Sequence, residues 1–243
     1  MPVPTRRRVV RRYVPPQHGA WAMLLLPFLA GVLLAGARWI QLPLLVAWLS
    51  GYLFSYYALQ AVKTGRPGRV RPQLLLYGPL TAGFGAVVVL ACPDLLLFAP
   101  LYAVLLAVNA GYARRRNDRA LLNDLASVGQ SCLMVFVVAV AAGAPPAAVW
   151  PAFLAVLLYF VGTVLHVKTM IRERGSVAYH RASVVYHVVA AAVAIWLGPA
   201  FAAVFALLLC RAIAFPWLSL TPRKVGIAEI VASVLLIVAI ATS

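Results

Sequence analysis

The sequence predicts an all-α membrane protein, a polytopic bundle of about nine transmembrane helices with a cytoplasmic N-terminus. Three observations carry that expectation. The 243 residues are 64% hydrophobic with a mean hydropathy of +0.95, whereas a soluble domain is about half apolar. The apolar residues fall in nine stretches, near 20–37, 42–61, 73–91, 95–113, 121–142, 149–167, 182–197, 199–215 and 225–242. Each is close to the ~20 residues a helix needs to cross a bilayer core. Finally, of 21 Lys and Arg residues, all but Arg38 and Arg211 lie in the N-terminal arm or in every second gap. The gaps around 92–94, 143–147 and 198–199 carry no base. Positive charge stays cytoplasmic, which places the protein in the bacterial cytoplasmic (inner) membrane with the basic gaps inside.

Two units follow: a basic cytoplasmic arm over 1–14, with Arg6, Arg7, Arg8, Arg11 and Arg12, and a single transmembrane domain over 15–243. Pro15 and Pro16 precede the first span, as suits a helix start, and Trp21 is placed for the interface. Ala35-Gly36-Ala37 has the form of a signal cleavage site, but the apolar run is longer than such segments use, so a retained helix is expected. Span two ends in Tyr56, Gln60 and Lys63, spaced i, i+4, i+7 and therefore on one helix face. Spans three and four hold Gly83, Gly85, Pro79 and Pro100. Together with Gly31, Gly51, Gly129 and Gly162 the glycines predict close helix contacts, with freed carbonyls near Pro27, Pro79, Pro100 and Pro151 met by neighbours.

Asp118 and Asp124 flank the start of span five, where Asn117 or Asp118 could cap the helix, and ion pairing with the basic cluster Arg114, Arg115, Arg116 and Arg119 is the preferred reading. Span six runs into His166-Val167-Lys168-Thr169-Met170-Ile171-Arg172-Glu173. If the helix continues, Thr163, His166, Met170 and Glu173 share a face, with Lys168 and Arg172 on another. Val-Lys-Thr recurs at 62–64 and 167–169, each time closing an even-numbered span on the same side. Chance is one account of that match and a diverged duplication the other. Span seven opens with His180, Ser183 and His187 on one face. Arg211 and Glu229, near the inner ends of spans eight and nine, are expected to pair.

Charged and strongly polar residues within or beside a span are the default candidates for function. Lys63, Lys168 and Arg172 are candidate anion-binding residues. His18, Tyr56, Gln60 and His187 are candidates for lining a polar cavity, and His166 and Glu173 for acid–base chemistry. A competing reading is that the bases only complement helix C-termini and face anionic phospholipids of the bilayer. Some classes are excluded outright. The charge of +16 is dispersed over short loops beside a bilayer, so no nucleic-acid partner is expected. Cys92, Cys132 and Cys210 form no CxxC, the histidines lack zinc spacing, and no carboxylate cluster exists to hold Mg²⁺, so no metal and no cofactor is expected.

His18-Gly19-Ala20-Trp21 with Pro27, Asn123-Asp124-Leu125, and the string from Val167 to Gly175 resemble the YwiC-like family of bacterial integral membrane proteins. The resemblance runs from about Pro15 to the last span and implies no reaction. The layout is also similar to the UbiA-type intramembrane prenyltransferases, which have nine helices, an inner N-terminus and aspartate motifs after helices two and six. Here 55–63 and 166–173 stand in those places, with Lys and Arg instead of the aspartates. None of that family's catalytic aspartates carries over, and Mg²⁺-dependent ionisation of a diphosphate is not expected. Three functions remain. The first is binding or transport of an anionic lipid or small anion in a basic, cytoplasm-facing cavity. The second is a UbiA-fold enzyme acting on a lipid-linked substrate. The third is a membrane scaffold whose basic loops dock a partner.

Overall fold

A computed structural model describes residues 13–15, 18–218 and 220–243, the His18 side chain excepted. Apart from Tyr13 and Val14, the basic arm lies outside the described residues. Among them every regular element is helical: α1 (His18–Ala35), α2 (Gln41–Thr64), α3 (Arg71–Ala91), α4 (Ala99–Arg114), α5 (Leu121–Cys132), α6 (Met134–Ala141), α7 (Pro146–Val167), α8 (Val177–Leu197), α9 (Pro199–Ala214) and α10 (Pro222–Ala241). α5 and α6 are one segment interrupted at Leu133, so the ten helices make nine helical segments at the positions of the nine expected spans. Eight of these, counting Pro93–Arg114 and Leu121–Ala141 as single spans, are long and apolar enough to cross a membrane. The apolar part of α1, Gly19–Ala35, is shorter. The protein is a multi-pass membrane protein.

Local chemistry sets the helix ends. Proline sits in the first turn of α3, α4, α7, α9 and α10, where a missing N–H is harmless. Gly65 ends α2 in the left-handed region at φ 65°, its N–H reaching the Ala61 carbonyl at 2.8 Å. Span seven begins five residues before its apolar run, at Val177. Ser176 Oγ accepts the Tyr179 N–H there, and the helix carries His180 and Arg181 ahead of its lipid-facing part. Hydropathy alone does not register such a polar first turn.

The span α5–α6 is the centre of the bundle, with 61% of its apolar window buried against 11% for α3 and for the Pro93–Arg114 span. α1 packs beside it and feeds both sides. Leu26 and Ala30 join a cluster with α7 to α10, while Phe28 joins a second cluster with α2, α3 and the α4 span. The two halves of the chain therefore flank a shared α1/α5–α6 core. Close approach is real at Gly31, where a Cβ would stand 2.7 Å from Val138 Cβ, and at Gly162, 3.0 Å from His187 Nε2. Gly83 and Gly85 do not follow the expectation: nothing lies within 4 Å of either position, because α3 is an outer helix.

Pro27 lacks the N–H that would bond the Met23 carbonyl, and the Ser131 hydroxyl of α5 donates to that carbonyl instead. Ser131 is buried. Ser131→Ala is expected to destabilise the bundle by about 1–3 kcal/mol, since it strands a buried acceptor. Thermal unfolding in detergent checks this against the unaltered protein.

Candidate functional site

Two helix ends deliver cations to one loop. The last turn of α2 presents Lys63 to the segment joining α4 to α5, where its ammonium pairs with Asp118. Arg116 Nε of the same segment donates to the Lys63 carbonyl at 3.3 Å. On the other side, α7 passes into a π turn over Lys168–Arg172, closed by the Glu173 N–H on the Lys168 carbonyl at 2.8 Å. That wider turn re-phases the segment. Lys168 Nζ lies 2.8 Å from Asp124 Oδ2 and 2.6 Å from the Arg119 carbonyl. Arg172 Nη1 lies 3.8 Å from the same Asp124 oxygen. The two Val-Lys-Thr segments, one from each half of the chain, thus meet on one stretch of chain, the α4–α5 loop and the first turn of α5.

A cavity of ≈ 640 Å³ opens between them. Lys63, Arg119, Arg172, Asp118 and Asp124 line its charged part. Tyr56 and Gln60 line it beside Lys63, so the predicted face of α2 is intact. Leu24, Trp48, Leu59 and Leu106 give it an apolar wall. Beneath the charges lies an amide network. Asn109 Nδ2 donates to Asn123 Oδ1 at 2.8 Å and lies 3.2 Å from Ser127 Oγ, while its Oδ1 accepts from Gln130 Nε2 at 2.9 Å. Asn123 Nδ2 in turn donates to the Asp118 carbonyl at 2.8 Å, which ties the network to the loop.

The two aspartates do pair with bases, but not with the neighbouring arginine cluster as the sequence had led one to expect. Arg114, Arg115 and Arg116 are exposed, while Lys63 and Lys168 reach the carboxylates from adjacent helices. Lys168, a candidate anion ligand, is nearly buried and already committed to Asp124 and the Arg119 carbonyl. Glu173 lies past the π turn and does not line the cavity. His166 and His187 are buried, their rings 6.5 Å apart, and neither lines it either. His18 opens α1, but its side chain lies outside the described residues. The Arg211–Glu229 pair forms as expected, with Thr163 Oγ1 donating to Glu229 Oε2 at 3.0 Å. Sequence reasoning passed over Asn109 and Gln130, although two strongly polar side chains inside apolar spans were the signal that flagged the other candidates.

The family model described as YwiC-like protein matches residues 14–139, more than half of the chain. The chain is also 35% identical over 179 residues to the uncharacterised protein YwiC of Bacillus subtilis (strain 168), covering 73% of this chain and 75% of that one. The chain belongs to the YwiC-like family. An uncharacterised protein of Haemophilus influenzae (strain ATCC 51907 / DSM 11121 / KW20 / Rd) is 31% identical over 230 residues, covering 88% of this chain and 90% of its own length. No solved structure matches. Within this YwiC-like chain the family match takes in Lys63, Asp118, Asn123 and Asp124, and it ends before Lys168 and Arg172.

Proposed function

We propose that this YwiC-like protein binds an anionic amphiphile at the basic end of its bundle, with a phosphate or carboxylate head at Lys63, Arg119 and Arg172. The observation that carries the reading is the delivery of cations from spans two and six to the mouth of one cavity with an apolar wall. Lys63, Arg119, Arg172 and the underlying Lys168 face only Asp118 and Asp124, leaving two positive charges over. The pairs differ in how readily they exchange. Lys63 and Asp118 are 41% and 37% exposed, so their pairing is weak and an incoming oxyanion displaces it at little cost. Lys168 is 6% exposed with two close acceptors and serves to fix the loop. The amide network supplies neutral donors and acceptors for the polar linkage between head and chain. The alternation of basic gaps supports a place in the bacterial cytoplasmic membrane with this end inside, where anionic lipid is at hand.

The enzyme alternative keeps the cavity but loses its acid–base candidates, because neither His166 nor Glu173 reaches it. The test is a thermal-shift series in uncharged detergent with pyrophosphate, a prenyl diphosphate and phosphatidic acid, each with and without Mg²⁺. The expected result is stabilisation by the two amphiphiles without Mg²⁺, exceeding that by pyrophosphate, and reduced severalfold in Lys63→Gln and Arg172→Gln. A ligand at 100 times its Kd stabilises by about 2.7 kcal/mol, so the effect is readable. Equal shifts in wild type and both variants would refute the site and leave the scaffold reading. A shift that requires Mg²⁺ would restore the enzyme.

A further inference from the structure

Away from the cavity, α7, α8 and α9 bury a set of polar atoms that have no hydrogen-bond partner among the described residues. They are both ring nitrogens of His166, His187 Nε2, Ser183 Oγ, Arg211 Nε and Nη2, and, in the first turns of α8 beside Trp217, His180 Nε2. Buried polar atoms nearly always find partners, so such a concentration calls for an occupant. His166 is 0% exposed, His187 2% and Arg211 7%. The atoms have definite roles. His187 Nδ1 lies 2.7 Å from the Ser183 carbonyl, which only accepts, so Nδ1 carries the hydrogen and Nε2 of the neutral ring carries a lone pair. Arg211 Nη1 holds Glu229, whose second oxygen accepts from Thr163. Nε and Nη2 make up the opposite edge of the guanidinium, two parallel N–H groups that match the two oxygens of a carboxylate or phosphate.

Charge decides what this edge can accept. Arg211 and Glu229 together are neutral, so an oxyanion alone would leave a net negative charge about 10 Å inside the bundle, judging by the seven-residue run from Pro222 to Glu229. Such burial is costly unless it is compensated. The other titratable groups on the surrounding elements are Tyr159 on α7, Tyr179, His180, Arg181, Tyr186 and His187 on α8, Cys210 on α9, Arg223 and Lys224 in the first turn of α10, and Cys132 and the Lys168-paired Asp124 on α5, with no charged group on α6 or over Gly19–Ala35 of α1. His166 remains, with both nitrogens unengaged.

We propose that Arg211 and His166 form a second site, in the core, that takes up an oxyanion of the carboxylate or phosphate class together with one proton. The proton comes from water and forms an N–H bond at the lone pair of the His166 ring. The imidazolium charge then cancels that of the anion, and both ring N–H groups become donors. The site thereby accepts a weak acid in net neutral form, whether a free anion or the head of a lipid. It shares no lining residue with the cavity and does not rest on the function proposed for it.

The test uses the full chain in uncharged detergent micelles, carrying Lys63→Gln and Arg172→Gln to silence the cavity. Inorganic phosphate and oleate are titrated separately, with binding followed by calorimetry. Proton uptake is read from a pH indicator in weakly buffered solution, with protein-free micelles subtracted. At least one probe is expected to bind with uptake of about one proton per anion. Phosphate alone would identify a free anion as the ligand, and oleate alone a lipid head; either sustains the site. Arg211→Lys keeps the charge beside Glu229 but loses the two-pronged edge, and is expected to weaken binding about tenfold. His166→Gln is expected to abolish the proton uptake. The proposal is overturned if neither probe binds, if binding takes up no proton, or if affinity and uptake are unchanged in both variants.

Discussion

Arg211→Met is expected to lower the stability of the folded bundle by about 3–5 kcal/mol, the usual range for removing one partner of a buried ion pair. Glu229 is only 15% exposed and keeps just Thr163 as a hydrogen-bond donor when the guanidinium is gone. The α9–α10 contact would then carry an uncompensated carboxylate. Unfolding with a denaturing detergent, or by heat in a mild one, measures the loss. The contrast that isolates the mechanism is the double variant Arg211→Met/Glu229→Gln. It removes both charges and is expected to recover much of the stability, because the penalty arises from the stranded charge rather than from the missing pair. A single variant that unfolds like wild type would mean that Glu229 is solvated and that the pair holds nothing together.

Gly31→Ala is expected to destabilise the bundle by about 1–3 kcal/mol through overpacking. The new Cβ would meet Val138 Cβ at 2.7 Å and the Val135 carbonyl oxygen at 3.0 Å, contacts with main chain and Cβ that no rotamer change relieves. α1 and α6 must move apart. The displacement travels to the site, because α1 also carries Met23, held by Ser131, and Leu24, whose carbonyl accepts from Trp48 Nε1 at 3.0 Å. Loss of anionic-ligand binding should therefore accompany the loss of stability. Gly31→Ala/Val138→Gly is expected to restore part of both. Gly83→Ala and Gly85→Ala, at open positions, should leave both unchanged, and together these variants separate a packing effect from a general effect of helix glycines.

Much of this architecture was legible before any coordinates because hydrophobicity and charge set it directly. The helical segments, eight of them long and apolar enough to cross a membrane, and their approximate limits follow from the apolar runs. The Arg211–Glu229 pair was legible for a related reason: a charge inside a span needs a partner, and these two stood at similar depth. The partners of Asp118 and Asp124 were not. Local sequence offered a run of arginines next door, whereas packing α2 and α7 against the α4–α5 segment brought Lys63 and Lys168 closer. Nor could the π turn be read, since a single inserted residue per turn leaves no mark in composition, yet it governs where Lys168, Arg172 and Glu173 point. The separation of His166 and His187 from the cavity has the same origin. Helical periodicity gives the face of a side chain, and only the neighbouring helices decide what that face meets.

The measurement that bears most directly on the cavity is native mass spectrometry of the protein released from micelles with phosphatidic acid and phosphatidylcholine at equal concentration. Wild type is expected to retain one phosphatidic acid in preference to phosphatidylcholine, and Lys63→Gln/Arg172→Gln is expected to lose that preference while staying folded. Retention of the anionic lipid to the same degree in the double variant, or no preference in wild type, would contradict the assignment of this cavity as an anion-binding site.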